Sequence, residues 1–415
     1  MTKIGIVGAG IAGLQLALFL QKEGVTTTLY SDKTPEQLRQ SRLPNLPVRF
    51  DHTRKREAEL GINYWDETGY NMHYLQLYLG GEQPLSFTAQ LSQPGSYVDM
   101  RLYLPRLLQE YQSRGGEVVI KAFQDQDLAD YAAEHELMVV SAGRGSLVEL
   151  FPRLPEYSPY TQPPRLLTGG YFTGIRQPEP FGSIAFVISP GHGEIFQATL
   201  YTQQGLQTSL LFEAIPGGAF EVLNRLRYQD NSAQFNATAL QLLQEHAPTI
   251  YERITPTEFG VARSEDLLQG AITPVVRQGY ARLGNGKFAI ALGDVHILND
   301  PLLAQGANTA SYSAWMLGQA ILEASTFDER FCQEAEARVW EYARYVTEWS
   351  NASLQPPPPH LIDFLVAASQ NQSLANQFAD GFNQPVQQWS LLSDPVKTQQ
   401  LVQSSNRKVN VNMLV

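Results

Sequence analysis

The chain has 415 residues, 41 acidic against 30 basic side chains and a net charge of −11, which excludes the basic footprint of a nucleic-acid or anionic-membrane binder. Its length predicts two to three domains, or one large composite, with ample core. A single cysteine, Cys332, excludes an internal disulfide and a thiolate-rich metal site, and no apolar run approaches the roughly 18 residues of a membrane span.

In chain order, Ile4, Ile6 and Val7 predict a short buried strand rather than a cleavable leader. The strand meets Gly8-Ala-Gly10-Ile-Ala12-Gly13 and passes into an apolar helical run through Leu14, Leu16, Leu18 and Leu20. A second strand follows over residues 26–30. Strand, glycine turn, helix and strand place a helix N-terminus with bare N–H groups where a pyrophosphate can sit. Gly8 permits the tight turn, Gly10 lets phosphates approach the backbone, and Gly13 lets the helix pack close to the sheet. A dinucleotide is therefore expected; the alternative is a Rossmann-like core that lost its ligand. The acid usually found at the end of the second strand, for ribose hydroxyls, is displaced: Ser31 holds its place and Asp32 follows.

Turn formers fill residues 42–47. A helix is expected from about Arg101 to Arg114, ending at Gly115-Gly116, with buried strands at 118–120 and 137–141. From about 160 to 260 the texture changes to alternating strands at 184–188, 195–200 and 207–212, then helices near 220–228 and 233–246. This predicts an antiparallel sheet with helices on one face, inserted into the nucleotide-binding domain; residues 75–79 and 85–87 are candidates to join it. An apolar strand at 288–292 and a helix from about 305 to 324 return to the first domain. The rest is helical, interrupted by a rigid Pro356–Pro359 connector, and the last few residues are expected to fray.

A second constellation follows the strand ending at Leu292: Gly293-Asp294, then Asp300-Pro301, then Gln305-Gly306-Ala307-Asn308 opening a helix. A carboxylate at a strand end can accept hydrogen bonds from a polyol, and a glycine-containing helix start can hold negative charge on a ring. Phosphates at one end and a polyol with a ring at the other describe FAD; NAD needs no second site of this kind.

The stretches GIVGAGIAGLQLALFL, VDMRLYLP, FVISPGHGE, LQGAITPVVRQGYARLGNGKFAIALGD, DPLLAQGANTASYSAWMLG and FADGFNQPVQQW carry a resemblance. From Lys3 to about Trp389 the chain resembles FAD-dependent monooxygenases of the para-hydroxybenzoate hydroxylase fold. More narrowly, it is similar to the oxygenase component of styrene monooxygenase and indole monooxygenase. The resemblance implies an α/β (α+β composite) fold. A discontinuous FAD-binding domain would comprise 1–70, 97–155 and 270–326, a substrate domain 71–96 and 156–269, and a C-terminal helical region 327–415. It implies that Gly8, Gly10, Ala12 and Gly13 line the pyrophosphate, and that Arg42 and Arg101 approach the cofactor. Ser31 and Asp32 would stand at the ribose, Gly293 and Asp294 at the ribityl chain, Pro301 beside the isoalloxazine, and the N–H groups of Gly306, Ala307 and Asn308 at flavin N1 and O2. Asn45 and Pro301 are the implied catalytic pair, and Pro44, Asn45, Leu46, Pro47, Leu75 and Gly95 the implied substrate pocket.

The same resemblance implies a cytoplasmic enzyme with a transient NADH-dependent flavin reductase, O₂ and a small aromatic alkene such as styrene or indole as partners. No metal, nucleic acid or membrane is implied, and homodimerisation stays open. Reduced FAD and O₂ would form a C4a-hydroperoxyflavin that epoxidises the alkene. Single-component hydroxylases of this fold carry an Asp-Gly motif. Here the run reads Ser141-Ala142-Gly143-Arg144-Gly145-Ser146, so a separate reductase is expected to deliver FAD already reduced. The competing readings are a single-component NAD(P)H-dependent aromatic hydroxylase and a flavin-free scaffold of the same fold. A halogenase is disfavoured by the lack of a WxWxIP segment. His296 and His73 read as structural, His192 is open between shaping a substrate-side loop and serving a turn, and Cys332 has no nucleophile's setting.

Overall fold

The computed structural model describes residues 3–67, 70–143 and 145–412. Arg144 and the expected fraying at 413–415 lie outside the described residues.

One sheet has six strands in the order Tyr280–Arg282, Phe288–Ala291, Leu137–Val140, Lys3–Val7, Thr26–Ser31, Glu117–Ile120. All pairs are parallel except the Tyr280–Arg282 edge. Central strands read as unbroken apolar runs because both faces are covered, as a parallel sheet requires. Ile4 pairs with Leu137 and Val7 with Val140, and all four are buried. The helix Ile11–Lys22 has buried residues on every side, from Ala12 to Leu20. Leu14, Leu16, Leu18 and Leu20 are fully buried, each worth roughly 1.5–3 kcal/mol. This helix stops at Gly24, which takes a left-handed φ of 76°. It lies so close to the helix Gly306–Glu323 that a Cβ on Gly318 would sit 2.5 Å from the Phe19 ring. The helix Met100–Ser113 starts on an Asp99 cap. Pro105 cannot donate to the Arg101 carbonyl; Gln203 Nε2 donates to it instead, at 3.4 Å.

The second sheet has nine strands. The order is Gly260–Val261, Arg165–Thr173, Gly205–Ala214, Gly193–Thr202, Ser183–Ser189, Tyr70–Leu79, Leu85–Tyr97, Val48–Arg49, with Leu267–Ile272 also on Arg165–Thr173. The alternation between residues 184 and 212 predicts an antiparallel sheet. One pair departs from it: Tyr70–Leu79 runs parallel to Ser183–Ser189, a pairing possible because over 100 residues of other structure connect the two strands. Side chains alternate between faces. Ala185, Val187, Ile195, Leu210 and Phe212 pack against Phe235, Ala239 and Leu243 of the helix Ser232–His246. Their neighbours Ile184, Phe186, Phe196, Ser209 and Leu211 turn the other way and line a cavity.

The C-terminal helices run from Glu329–Ser353 to Pro395–Asn412. Gln372–Asp380 is sewn onto the strand Leu85–Tyr97: Asn376 Oδ1 accepts from Gln90 N at 2.8 Å, and Asp380 Oδ1 from Ser92 N at 2.6 Å. The helices thereby close the side of the cavity that neither sheet covers.

Candidate active site

The cavity holds about 320 Å³, a size suited to a small organic ligand. Its first wall is the glycine turn. Gly8 has φ +112°, and a Cβ there would lie 2.7 Å from Ala142 N. A Cβ on Gly13 would lie 2.0 Å from the Gly8 carbonyl oxygen. Gly10 is different: no atom of the described residues stands within 4 Å of its absent Cβ, and Gly10, Ile11 and Ala12 face the cavity. The helix beginning at Ile11 has no side-chain cap and no acid in its first turn, so its N–H dipoles are bare toward the cavity.

The second wall starts where the strand Phe288–Ala291 ends. Gly293 turns the chain with φ +63°, and Asp294 is exposed on the cavity. Asp300 Oδ1 accepts from Leu302 N at 3.1 Å and starts the short turn Pro301–Leu303. Ala304 then takes φ +53°, a left-handed conformation unusual for a residue with a Cβ. The helix Gly306–Glu323 follows, again with no side-chain cap and no acid in its first turn. Pro301, Ala304, Gly306 and Ala307 line the cavity. Asn308 stands behind them. Its Oδ1 accepts from Phe50 N and Thr53 Oγ1, both at 2.8 Å, while Nδ2 donates to Val48 O and Ala304 O.

The remaining wall is apolar, formed by Leu46, Leu75, Leu91, Ile184, Phe186 and Phe196 among others. Its polar points include Asn45, Tyr97, Ser209 and Asn299. Ser209 Oγ donates to Ala198 O at 3.1 Å and lies 3.3 Å from the Tyr97 hydroxyl. Burial raises the Tyr97 phenol far above its ordinary range, so it stays a neutral donor. Behind Pro301, Glu213 and Asp300 are both buried; burial pushes the Asp300 carboxyl up to about 6 and Glu213 well above the carboxylate range.

A family model described as "Styrene monooxygenase A putative substrate binding domain" matches residues 143–253. The chain is 40% identical over 399 residues to styrene monooxygenase StyA of a Pseudomonas sp, across 95% of each chain. It is 39% identical to styrene monooxygenase StyA of Pseudomonas fluorescens, also across 95% of each. The chain belongs to the StyA family of styrene monooxygenases. In fold it also resembles PqsL, "a probable FAD-dependent monooxygenase" from Pseudomonas aeruginosa, with a TM-score of 0.63 and 15% identity over 85% of this chain and 95% of that one. That likeness speaks for the fold alone, the mixed α/β architecture of the para-hydroxybenzoate hydroxylase type. Membership of the StyA family makes the protein an FAD-dependent monooxygenase. It sets aside the single-component hydroxylase and the flavin-free scaffold.

The chain offers FAD a fitting cradle: an open space at Gly10, two uncapped helix starts facing one cavity, and a carboxylate at Asp294. Of the residues singled out in sequence, Gly10, Ala12, Gly293, Asp294, Pro301, Gly306, Ala307, Asn45, Leu46, Pro47 and Leu75 stand on the cavity wall. Gly8 and Gly13 shape the turn from behind. Gly95 backs Met72, whose Cε a Cβ would meet at 3.1 Å, and Met72 is on the wall. The others stand off it. Ser31 is buried and exchanges hydrogen bonds with the Lys33 backbone, while Asp32 pairs with Lys33 at the surface. Exposed Arg42 donates to Ser264 O and Leu267 O. Arg101 is buried, held in two prongs by Asp99 and at 2.8 Å by Asp266. Pro44 is exposed beside Asn45.

Several wall residues escaped the sequence reading. Tyr97, Phe186, Phe196, Ser209 and Leu211 were legible in principle from the two-residue period of their strands. Ala379 and Phe382 lie in the FADGFNQPVQQW stretch that carries the resemblance, but nothing in it signals that this helical segment reaches the cavity. His296 is structural: burial lowers its imidazole to about 4. His192 Nδ1 accepts from Ala219 N at 3.2 Å, anchoring the hairpin between two strands. Burial raises the Cys332 thiol to about 12, which removes thiolate character.

Proposed function

We propose that the protein is the oxygenase component of a two-component styrene monooxygenase. A separate NADH-dependent flavin reductase supplies reduced FAD, and an aryl alkene such as styrene or indole is epoxidised with O₂. The observation that carries this reading is a single cavity joining two bare helix starts to an apolar wall. When bound in reduced form, the flavin activates O₂ and supplies the oxygen atom.

The chain's own residues do the rest. Gly8, Gly10, Ala12 and Gly13 form the pyrophosphate turn. Asp294 accepts from the ribityl hydroxyls. Pro301 seats the ring, and the helix start at Gly306–Asn308 favours negative charge on it, by up to about 2 kcal/mol at a partly buried end. Phe186, Phe196, Leu75 and Ile184 hold the alkene and exclude water, which limits wasteful loss of oxygen as peroxide. Asn45 is the amide that hydrogen-bonds the reacting oxygen or orders a water. Epoxidation needs no side-chain base. The three-part division into FAD-binding, substrate and C-terminal helical regions follows from the same reading: the six-stranded sheet, the nine-stranded sheet and the helices after Phe327.

The test supplies FAD reduced chemically under anaerobic conditions, then adds oxygen and styrene without NADH. Styrene oxide forms in proportion to the reduced FAD supplied, and indole and thioethers rank beside it. Complete reoxidation of the reduced FAD with an equal amount of O₂ released as hydrogen peroxide, and no oxygenated product from any of these substrates, overturns the reading.

A further inference from the structure

Two buried carboxyl groups behind Pro301 have no donor between them. Glu213 lies near the end of the strand Gly205–Ala214 and shares its face with Ser209 and Leu211, which line the cavity. It is fully buried, and neither Oε1 nor Oε2 meets a hydrogen-bond donor among the described residues. Asp300 reaches toward it from the opposite region. Its Oδ1 caps Leu302 N, while Oδ2 is inaccessible and likewise without a donor. The two carboxyls lie within hydrogen-bonding reach of each other. The cation of this cluster, Arg165, is committed elsewhere: Nε and Nη2 grip Glu194 at 2.8 and 2.9 Å, and Nη1 donates to Pro164 O. Glu194 sits directly across the strand pair from Glu213 and adds a third acid.

Two ionised carboxylates side by side in this dry setting would repel; Glu213 would have no donor among the described residues, and Asp300 only Leu302 N, fewer than a buried charge requires. We infer that Glu213 and Asp300 share one proton, forming a carboxylic acid–carboxylate hydrogen bond that ties the substrate sheet to the turn carrying Pro301. One proton supplies the missing donor and leaves a single charge near Arg165. Such carboxyl pairs titrate as a unit. Burial raises both groups, and the neighbouring Asp300 and Glu194 charges raise Glu213 further, while the hydrogen bond with Glu213 works the other way on Asp300, in keeping with a proton that rests on Glu213 at neutral pH.

The pair is a positioning device. Asp300 caps the turn Pro301–Leu303, and that turn leads through Ala304 to the helix start at Gly306. Loss of the proton at alkaline pH places two charges against each other and pushes this turn from the strand. Since the protonated form is favoured in the folded chain, the stabilisation is complete in acid and disappears as pH rises through the pair's upper titration. The consequence for oxygen transfer rests on the reading of Pro301–Ala307 as the flavin seat; the shared proton does not.

Infrared difference spectroscopy on the ligand-free protein tests the proton. Wild type minus Glu213→Gln shows a protonated-carboxyl carbonyl band at neutral pH that titrates away in alkali; no band overturns the proposal. Thermal unfolding of ligand-free protein supplies the second measurement. Glu213→Gln keeps shape and donates an amide N–H to Asp300, so its Tm is flat where the wild-type Tm falls with rising pH. A Glu213→Gln Tm that tracks wild type overturns the proposal. With reduced FAD, oxygen and styrene, the wild-type ratio of epoxide to peroxide falls in alkali and that of Glu213→Gln holds. If the band and the Tm behave as stated but this ratio does not, the link to the flavin seat is overturned and the shared proton stands.

Discussion

The two helix starts that face the cavity reach the same electrostatic end by different means. At Ile11 the start is set within six residues by backbone sterics: the positive φ of Gly8 and the absence of any room for a Cβ at Gly13. At Gly306 it is set by partners far away in the chain. Asn308 bonds Val48, Phe50 and Thr53, up to 260 positions distant, and Gln305 Nε2 donates to Phe382 O at 2.9 Å. Both begin without a side-chain cap and without an acid in their own first turn. The first start therefore belongs to a local strand–turn–helix unit. The second exists only when the nine-stranded sheet and the C-terminal helices have docked.

The largest expected effect breaks the local start. Gly13→Ala places a Cβ against the Gly8 carbonyl oxygen, a backbone atom that cannot swing away. Overpacking of this kind costs about 3 kcal/mol or more, read as a lower urea midpoint, and FAD affinity falls with it. Gly10→Ala meets no atom of the described residues within 4 Å. It keeps its urea midpoint and loses FAD affinity alone, because the new methyl fills the space left for the ligand. Equal midpoints for Gly13→Ala and wild type would remove the steric account of this turn.

Next in size is an acid-side effect at the tertiary start. His296 lies between the Gly293 turn and Asp300, and burial lowers its imidazole from 6.5 to about 4. Glu336 lies 3.8 Å from its Nε2 but does not offset this, since burial raises that carboxyl too. The unfolded chain takes up the proton first, so stability is full above about pH 6.5 and is lost as pH falls toward 4. A shift of this size amounts to about 3 kcal/mol. The stability curve of His296→Phe should be correspondingly flatter between those limits; a curve as steep as wild type would assign the acid loss to other groups.

Asn308→Ala probes the same start without titration. It strands the N–H of Phe50 and the carbonyl oxygen of Val48 in a buried site, at about 2 kcal/mol. The first start keeps its geometry. ADP, which needs only that start, should bind as before while FAD binds more weakly. Parallel losses of both ligands would show that the two starts are not independent.

The same contrast explains what was legible in the sequence. The glycine turn announces itself because its reasons are local. The strands at 184–188, 195–200 and 207–212 announce themselves by alternation, and that alternation contained the cavity face. Arg101 does not announce its partners, since Asp266 meets it from 165 positions away. Glu213 closes a sequence that reads as an ordinary strand, and only Asp300 gives it a role. Phe382 sits in a helical region whose docking on the strand Leu85–Tyr97 depends on Asn376 and Asp380, residues that elsewhere would be solvated surface. The parallel pairing of Tyr70–Leu79 with Ser183–Ser189 leaves no trace in either strand's pattern.

The smallest predicted effect concerns the residue where the tertiary start is under strain. Ala304 holds a left-handed conformation at the cavity wall, and Asn308 Nδ2 grips its carbonyl at 2.9 Å. Left-handed backbone costs an alanine about 1 kcal/mol or somewhat more. Ala304→Gly relieves that cost but gives the unfolded chain extra freedom worth about 0.4–1 kcal/mol. The net is a gain near 0.5 kcal/mol, small enough to need paired urea titrations. Ala304→Val cannot relieve the strain and adds a branched Cβ, so it should lose stability where glycine gains it. Opposite signs for the two variants would locate the strain at this φ. Losses in both would instead mean that the alanine methyl matters as part of the wall, and that the start is held by packing rather than by the Asn308 bonds.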